Sequence, residues 1–278
     1  MGRSPVRRTG PRGSARVVPV LLALGVVLVT TGAAVAYWRD ARPPVTDDQV
    51  ADVADALDAA GTPTASAGAS ASPSAKPSAS PSSSPSAIAV PATGPGTFVT
   101  ARADGTTVGT GGRVRRYKVL VEEGIDVRPS AAAAEIAGVL ADRRGWTRDG
   151  ATSFRLVGTG SYDFVVKIAT PGTVDRICGA AGLRTRGEVN CSVGTDVVVN
   201  LKRWVLGSPE FVGPIHEYRA LIVNHEVGHR IGHGHETCPG AGRPAPAMMQ
   251  QIKGLKGCVA NAWPYDRDGA YLGGPPVP

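Results

Sequence analysis

His225-Glu226-Val227-Gly228-His229-Arg230-Ile231-Gly232-His233-Gly234-His235 holds four of the five histidines in a chain of 278 residues, so the imidazoles are clustered rather than scattered. On a helix of 3.6 residues per turn, His225 and His229 fall one turn apart on the same face and aim at one point. Glu226 stands beside the first, where a carboxylate reaches water at a metal without ligating the ion. Gly232 can take the left-handed conformation that ends a helix, and Gly234 adds freedom, so the chain can swing His235 back towards the pair. Three neutral imidazoles leave the fourth position of a tetrahedral zinc open, which distinguishes a catalytic site from a structural one. His225, His229 and His235 are therefore the candidate ligands of one Zn2+ ion, with Glu226 as candidate general base.

The pattern H-E-x-x-H-x-x-G-x-x-H resembles the signature of the metzincin metallopeptidases, and His-Glu-Val-Gly-His is similar to the matrixin and astacin branches of that clan. The chain also resembles a metzincin-like domain of secreted and membrane-anchored actinobacterial proteins. The resemblance implies a zinc-dependent endopeptidase acting on a peptide or protein substrate. It implies an α+β fold: a twisted mixed sheet of about five strands, an active-site helix and a C-terminal Met-turn subdomain. The fourth strand would be an antiparallel edge that aligns the substrate by adding it to the sheet.

Downstream, Pro246-Ala247-Met248-Met249 matches the turn that places a methionine beneath the ligands in that clan, with Met249 favoured and Met248 second; ordinary core filling is the alternative. No proline follows the pair as in matrixins, and no tyrosine as in astacins. Tyr265 and Tyr271 are only distant candidates to assist an oxyanion, so that role is unassigned. Since no cysteine precedes Cys178, a matrixin-type cysteine switch is excluded. His233 reads as a bystander beside the site and His216 as a helix-start residue.

The rest of the chain divides by composition. With 36 Gly and 23 Pro but few aromatics, one compact domain plus a low-complexity part is expected rather than two domains. Residues 1–16 form a basic head with Arg3, Arg7, Arg8, Arg12 and Arg16. The apolar run 17–38 has the length of a membrane-spanning helix, and the arginines before it belong inside the cell. Cleavage of a signal peptide at Ala34-Val35-Ala36, giving a secreted protein, is the alternative.

Residues 39–97 form a stalk. Its first part, 46–61, reads as a short acidic amphipathic helix, either a solvated juxtamembrane element or a latency pro-segment. Its second part, almost only Ser, Ala, Pro, Thr and Gly, has nothing to bury and reads as a disordered tether. The catalytic domain is expected at 98–272, followed by a loose tail at 273–278.

Within that domain, strands are expected at 113–122, 153–157, 163–169, 188–192 and 196–201, the last two as a hairpin around Val193-Gly194-Thr195. One helix, capped by Ser130, follows the first strand. Pro214 suits the first turn of the histidine helix, with Ile215, Tyr218, Ile222 and Val223 as its apolar surface. Outside the cell, cysteines oxidise. The favoured pairs are Cys178 with Cys191 and Cys238 with Cys258, since each closes a short loop. The net charge of +7 owes five positive charges to the head, so the domain is only mildly basic and no nucleic-acid partner is expected. The chain reads as a monomer. A non-catalytic zinc-containing surface protein, binding or structural, is the alternative function.

Overall fold

The computed structural model describes Gly2 and residues 88–277. The expected anchor at 17–38, acidic helix at 46–61 and most of the tether lie outside the described residues. Among the described residues no helix is long and apolar enough to cross a membrane.

The fold is an α+β domain built on a mixed six-stranded sheet with four helices. The order along the chain is β1 (Phe98–Thr100), β2 (Arg113–Glu122), α1 (Pro129–Ala141), β3 (Thr152–Leu156), β4 (Phe164–Ala169) and α2 (Pro171–Gly179). Then come β5 (Cys191–Val193), β6 (Asp196–Asn200), α3 (Leu201–Leu206) and α4 (Ile215–Ile231). The sheet runs β1-β2-β4-β6-β5, with β3 also paired to β2. At ten residues, β2 is long enough to pair in parallel with β3 along 113–117 and with β4 along 117–121. Only β1 and β5 are antiparallel to their neighbours.

Side chains alternate across a strand, and the two faces of this sheet are buried against different helices. Tyr117, Val119, Val121, Val197 and Val199 join the main core with Ile136 and Leu140 of α1 and Leu221 and Val223 of α4. On the other face, Ala169 and Val198 pack with Val174 and Cys178 of α2. Residues before β1 also pack: Val90 lies against the main core, and the Gly172 N–H donates to the Ala92 carbonyl at 2.8 Å.

Several expectations need correction. There are six strands rather than five, because β1 has only three residues and shows no readable alternation. Three helices, not one, precede the histidine helix. α2 follows β4 with Pro171 at its first position, and α3 is capped by Asn200, whose side chain accepts from the Lys202 N–H at 2.9 Å. Ser130 is inside the first turn of α1 and Arg128 occupies the cap, without a side-chain bond.

The strand expected at 188–192 shrinks to Cys191–Val193 for a local reason. The Asn190 side chain accepts the Asn200 N–H at 2.9 Å, taking the donor that the next rung of the β5–β6 ladder would use. Arg203 and Lys202 then hold the Glu188 carboxylate, and Arg203 Nε donates to the Glu188 carbonyl at 2.7 Å. The expected loose tail is paired instead: the Val277 N–H donates to the His235 carbonyl and the Thr237 N–H to the Pro275 carbonyl, both at 2.9 Å.

Both expected disulfides form, Cys178–Cys191 and Cys238–Cys258, and no cysteine is free. The first joins α2 to the edge strand β5. The two together indicate an extracytoplasmic location.

Candidate metal centre

Helix α4 ends just past His229. Gly232 has a φ of 107° and its N–H donates to the His229 carbonyl, while the His233 N–H reaches back to the Gly228 carbonyl at 2.9 Å. This pair of bonds turns the chain sharply through a left-handed residue that glycine adopts without strain. The turn returns His235 to the face that carries His225 and His229.

The three imidazoles converge. His229 Nε2 lies 3.2 Å from His225 Nε2 and 3.1 Å from His235 Nε2. These nitrogens form a group that can hold a metal ion. Two nitrogens each 2.0–2.1 Å from a common tetrahedral zinc would be about 3.3 Å apart, close to the spacing here. The opposite edges of two rings are tied down: His225 Nδ1 lies 2.9 Å from the Ala247 carbonyl, and His229 Nδ1 lies 2.9 Å from the His233 carbonyl. A carbonyl only accepts, so each Nδ1 must carry the proton, and in the neutral ring Nε2 is then a bare lone pair. Bare lone pairs facing one another repel unless a Lewis acid lies between them, so the donor set fits a metal.

Electrostatics keep the rings neutral. Burial, then the neighbouring His229 and His235, hold His225 well below the usual histidine range, with the Ala247 carbonyl opposing only in part. His235 is lowered to about 4 by burial and then by His229 and Lys253. His229 is also lowered, chiefly by burial. Neutral imidazoles are the form that ligates a metal.

Glu226 is 5% exposed, and burial alone pushes its carboxyl up to about 8. It lines a cleft of about 80 Å³ together with His225, Val189, Asn190, Tyr218 and Met249. Below the triad, the Met249 N–H closes a turn onto the Pro246 carbonyl at 2.9 Å. The two methionines of that turn separate. Met248 is fully buried, its sulfur so close to Gly228 that a Cβ there would be 2.3 Å away, whereas Met249 faces the cleft.

The remaining candidates lie elsewhere. His216 is exposed on the first turn of α4, outside the triad. The His233 ring stacks on Trp146 with centroids 4.1 Å apart, while its carbonyl orients His229. Neither Tyr265 nor Tyr271 lines the cleft; the Tyr271 hydroxyl donates to Glu236 at 2.8 Å. Sequence reasoning missed Trp146, whose Nε1–H donates to the Asn224 carbonyl at 2.8 Å, just before the first ligand. It also missed the Ala247 carbonyl, because backbone groups carry no signature in a sequence.

No curated protein and no solved structure matches the chain. A family model described as "Protein of unknown function (DUF3152)" matches residues 84–269, which takes in every strand and helix described above and the whole histidine triad; the chain belongs to that family.

Proposed function

We propose that this chain is an extracytoplasmic zinc-dependent endopeptidase of the metzincin type, cleaving a peptide or protein substrate. The observation that carries the reading is the convergence of three Nε2 atoms, those of His225 and His235 lying 3.2 and 3.1 Å from that of His229, beside a buried carboxylate that shares a cleft with His225. His225, His229 and His235 would hold the ion. When bound, zinc supplies Lewis acidity to water and to the scissile carbonyl.

Glu226 moves the protons. Its raised pKa, which a nearby cation draws back towards neutrality, suits a group that takes a proton from the attacking water and delivers it to the leaving amine. Ala247 and His233 fix the tautomers of two ligand rings through their carbonyls. The turn carrying Met248 and Met249 serves as the floor of the site. β5 is the outer strand, and the residues leading into it, Val189 and Asn190, line the cleft. An extended peptide would pair with its free edge and lie across the triad. The apolar run 17–38 anchors the domain outside the membrane, and the protein works as a monomer without nucleic acid.

The test is zinc content measured together with chelator-sensitive cleavage of a peptide library by the full chain. Glu226→Ala should keep zinc and lose cleavage; retained cleavage removes Glu226 from the mechanism. Zinc without turnover in the unaltered chain would support a non-catalytic zinc-containing surface protein instead.

A further inference from the structure

The third ligand differs from the other two in what supports it. His225 and His229 project from a helix and each has a ring nitrogen against a carbonyl. His235 follows the exposed Gly234 on extended chain, and among the described residues its ring has no such carbonyl partner.

Support comes instead from its backbone. Residues 235–237 run between two other segments of the chain, with one β-bridge from Glu236 to each. Glu236 bridges Met249 in parallel, its N–H donating to the Met248 carbonyl at 3.1 Å, and bridges Pro276 in the antiparallel sense. The antiparallel side carries the bonds from Val277 N–H to the His235 carbonyl and from Thr237 N–H to the Pro275 carbonyl. The Glu236 side chain closes the same side, accepting the Tyr271 hydroxyl at 2.8 Å and the Gly274 N–H at 3.0 Å. The segment that carries the third ligand is thus held along both edges, one of them by residues 273–277.

We infer that residues 273–277 are a positioning segment for the third metal ligand, with Glu236 and Tyr271 as its lock. The role rests on the triad being a metal site. Without this segment His235 is free to sample orientations that miss the ion, and affinity falls by the fraction of time the ring is misplaced.

Gly274 offers a point variant that opens the clamp. A Cβ there would meet the Thr237 carbonyl oxygen at 2.0 Å and Pro246 Cγ at 3.0 Å, so Gly274→Ala must push residues 273–277 away from 235–237. The experiment compares the full chain, Gly274→Ala, a truncation after Leu272, and the pair Glu236→Ala and Glu236→Gln. Zinc affinity is read by competition with a chromophoric chelator, the coordination geometry by the visible spectrum of the cobalt form, and the metal-free fold by its thermal midpoint.

The expected result is zinc bound about 10- to 100-fold more weakly by Gly274→Ala and by the truncation, the range typical of residues that orient ligands. The cobalt bands should change with it. Glu236→Gln, which keeps an acceptor, should lose less affinity than Glu236→Ala. Unchanged affinity and cobalt spectrum in both Gly274→Ala and the truncation would overturn the positioning role, as would a lower metal-free midpoint with affinity intact. An unaltered chain that binds no zinc would overturn the metal reading itself, and this role with it.

Discussion

Glu122 at the end of β2 and Glu226 in the middle of α4 are both almost completely buried, at 2% and 5% exposure, yet their surroundings push them in opposite directions. Glu122 accepts from the Thr173 hydroxyl at 2.6 Å and from the N–H groups of Thr170 and Gly96 at 2.7 Å each. Burial drives it up, but these donors outweigh burial and hold its carboxyl below the usual range. Two of them belong to the first turn of α2 and the residue before it, so Glu122 also satisfies a helix N-terminus from a distant strand. For Glu226, burial acts alone and carries the carboxyl up to about 8. A buried charge with its donors supplied is part of the scaffold; one left short of donors beside three convergent imidazoles is available for proton transfer.

Exchanging each for glutamine separates the two roles. Glu226→Gln should lower peptide cleavage by about 10²- to 10⁴-fold, the usual worth of a general base, with zinc still bound. Glu122→Gln should leave cleavage per folded molecule unchanged. Kinetics on both variants, corrected for zinc content, check this. A reversal, with turnover lost at Glu122 and kept at Glu226, would break the distinction.

The disulfides sharpen it, because each region has its own. Cys178–Cys191 ties α2, the helix that Glu122 caps, and closes 13 residues; Cys238–Cys258 begins three residues after His235 and closes 20. Replacing either pair by serine should cost about 3 kcal/mol by the chain-entropy relation. Only the second replacement should also weaken zinc binding. Denaturation curves and zinc titrations on the two double variants test this, and equal zinc loss in both would mean that the sheet and the metal corner are not separable.

A smaller effect, about 1–3 kcal/mol, is expected at Glu122→Gln from donors left poorly matched in a buried place. Its pH dependence has a definite sign. A carboxyl held below its ordinary value of 4.5 in the folded state contributes stability that is complete above that value and is lost as pH falls towards the folded one. The unaltered protein should therefore lose stability more steeply than Glu122→Gln below about pH 4.5, as read from thermal midpoints between pH 7 and 3. Parallel acid limbs would remove Glu122 as a charged cap.

What was legible in the sequence follows the range of the interactions involved. The triad could be read because helix periodicity and one glycine bring its ligands together within eleven residues. β2 was legible as a β-rich alternation, β4 as a run rich in β-branched residues, and the disulfide pairs as short loops. The missed features depend on contacts between distant residues. Glu122 stands in Val121-Glu122-Glu123-Gly124, which reads as a solvated strand end until Thr170 and Gly96 are folded against it. The segment at 273–277 is rich in Gly and Pro and reads as loose, since its pairing with 235–237 bridges about forty residues and leaves no periodicity. α3 has six residues, too few to show a helical period.

The smallest effect concerns the tryptophan that supports α4 beside the first ligand. Trp146 donates its Nε1–H to the Asn224 carbonyl, one residue before His225, and its ring lies under His233. Trp146→Phe deletes that bond and reduces the stack. The cost should be about 1 kcal/mol, the net worth of one buried hydrogen bond, because the Asn224 carbonyl inside α4 keeps its helical partner. Zinc affinity should change less than about threefold, since the Ala247 and His233 carbonyls still hold their rings and α4 remains packed along its whole apolar face. Thermal midpoint and zinc titration on this one variant measure the two quantities. If affinity instead fell as far as with Gly274→Ala, the seating of α4, and not the segment beside His235, would be what sets the metal geometry.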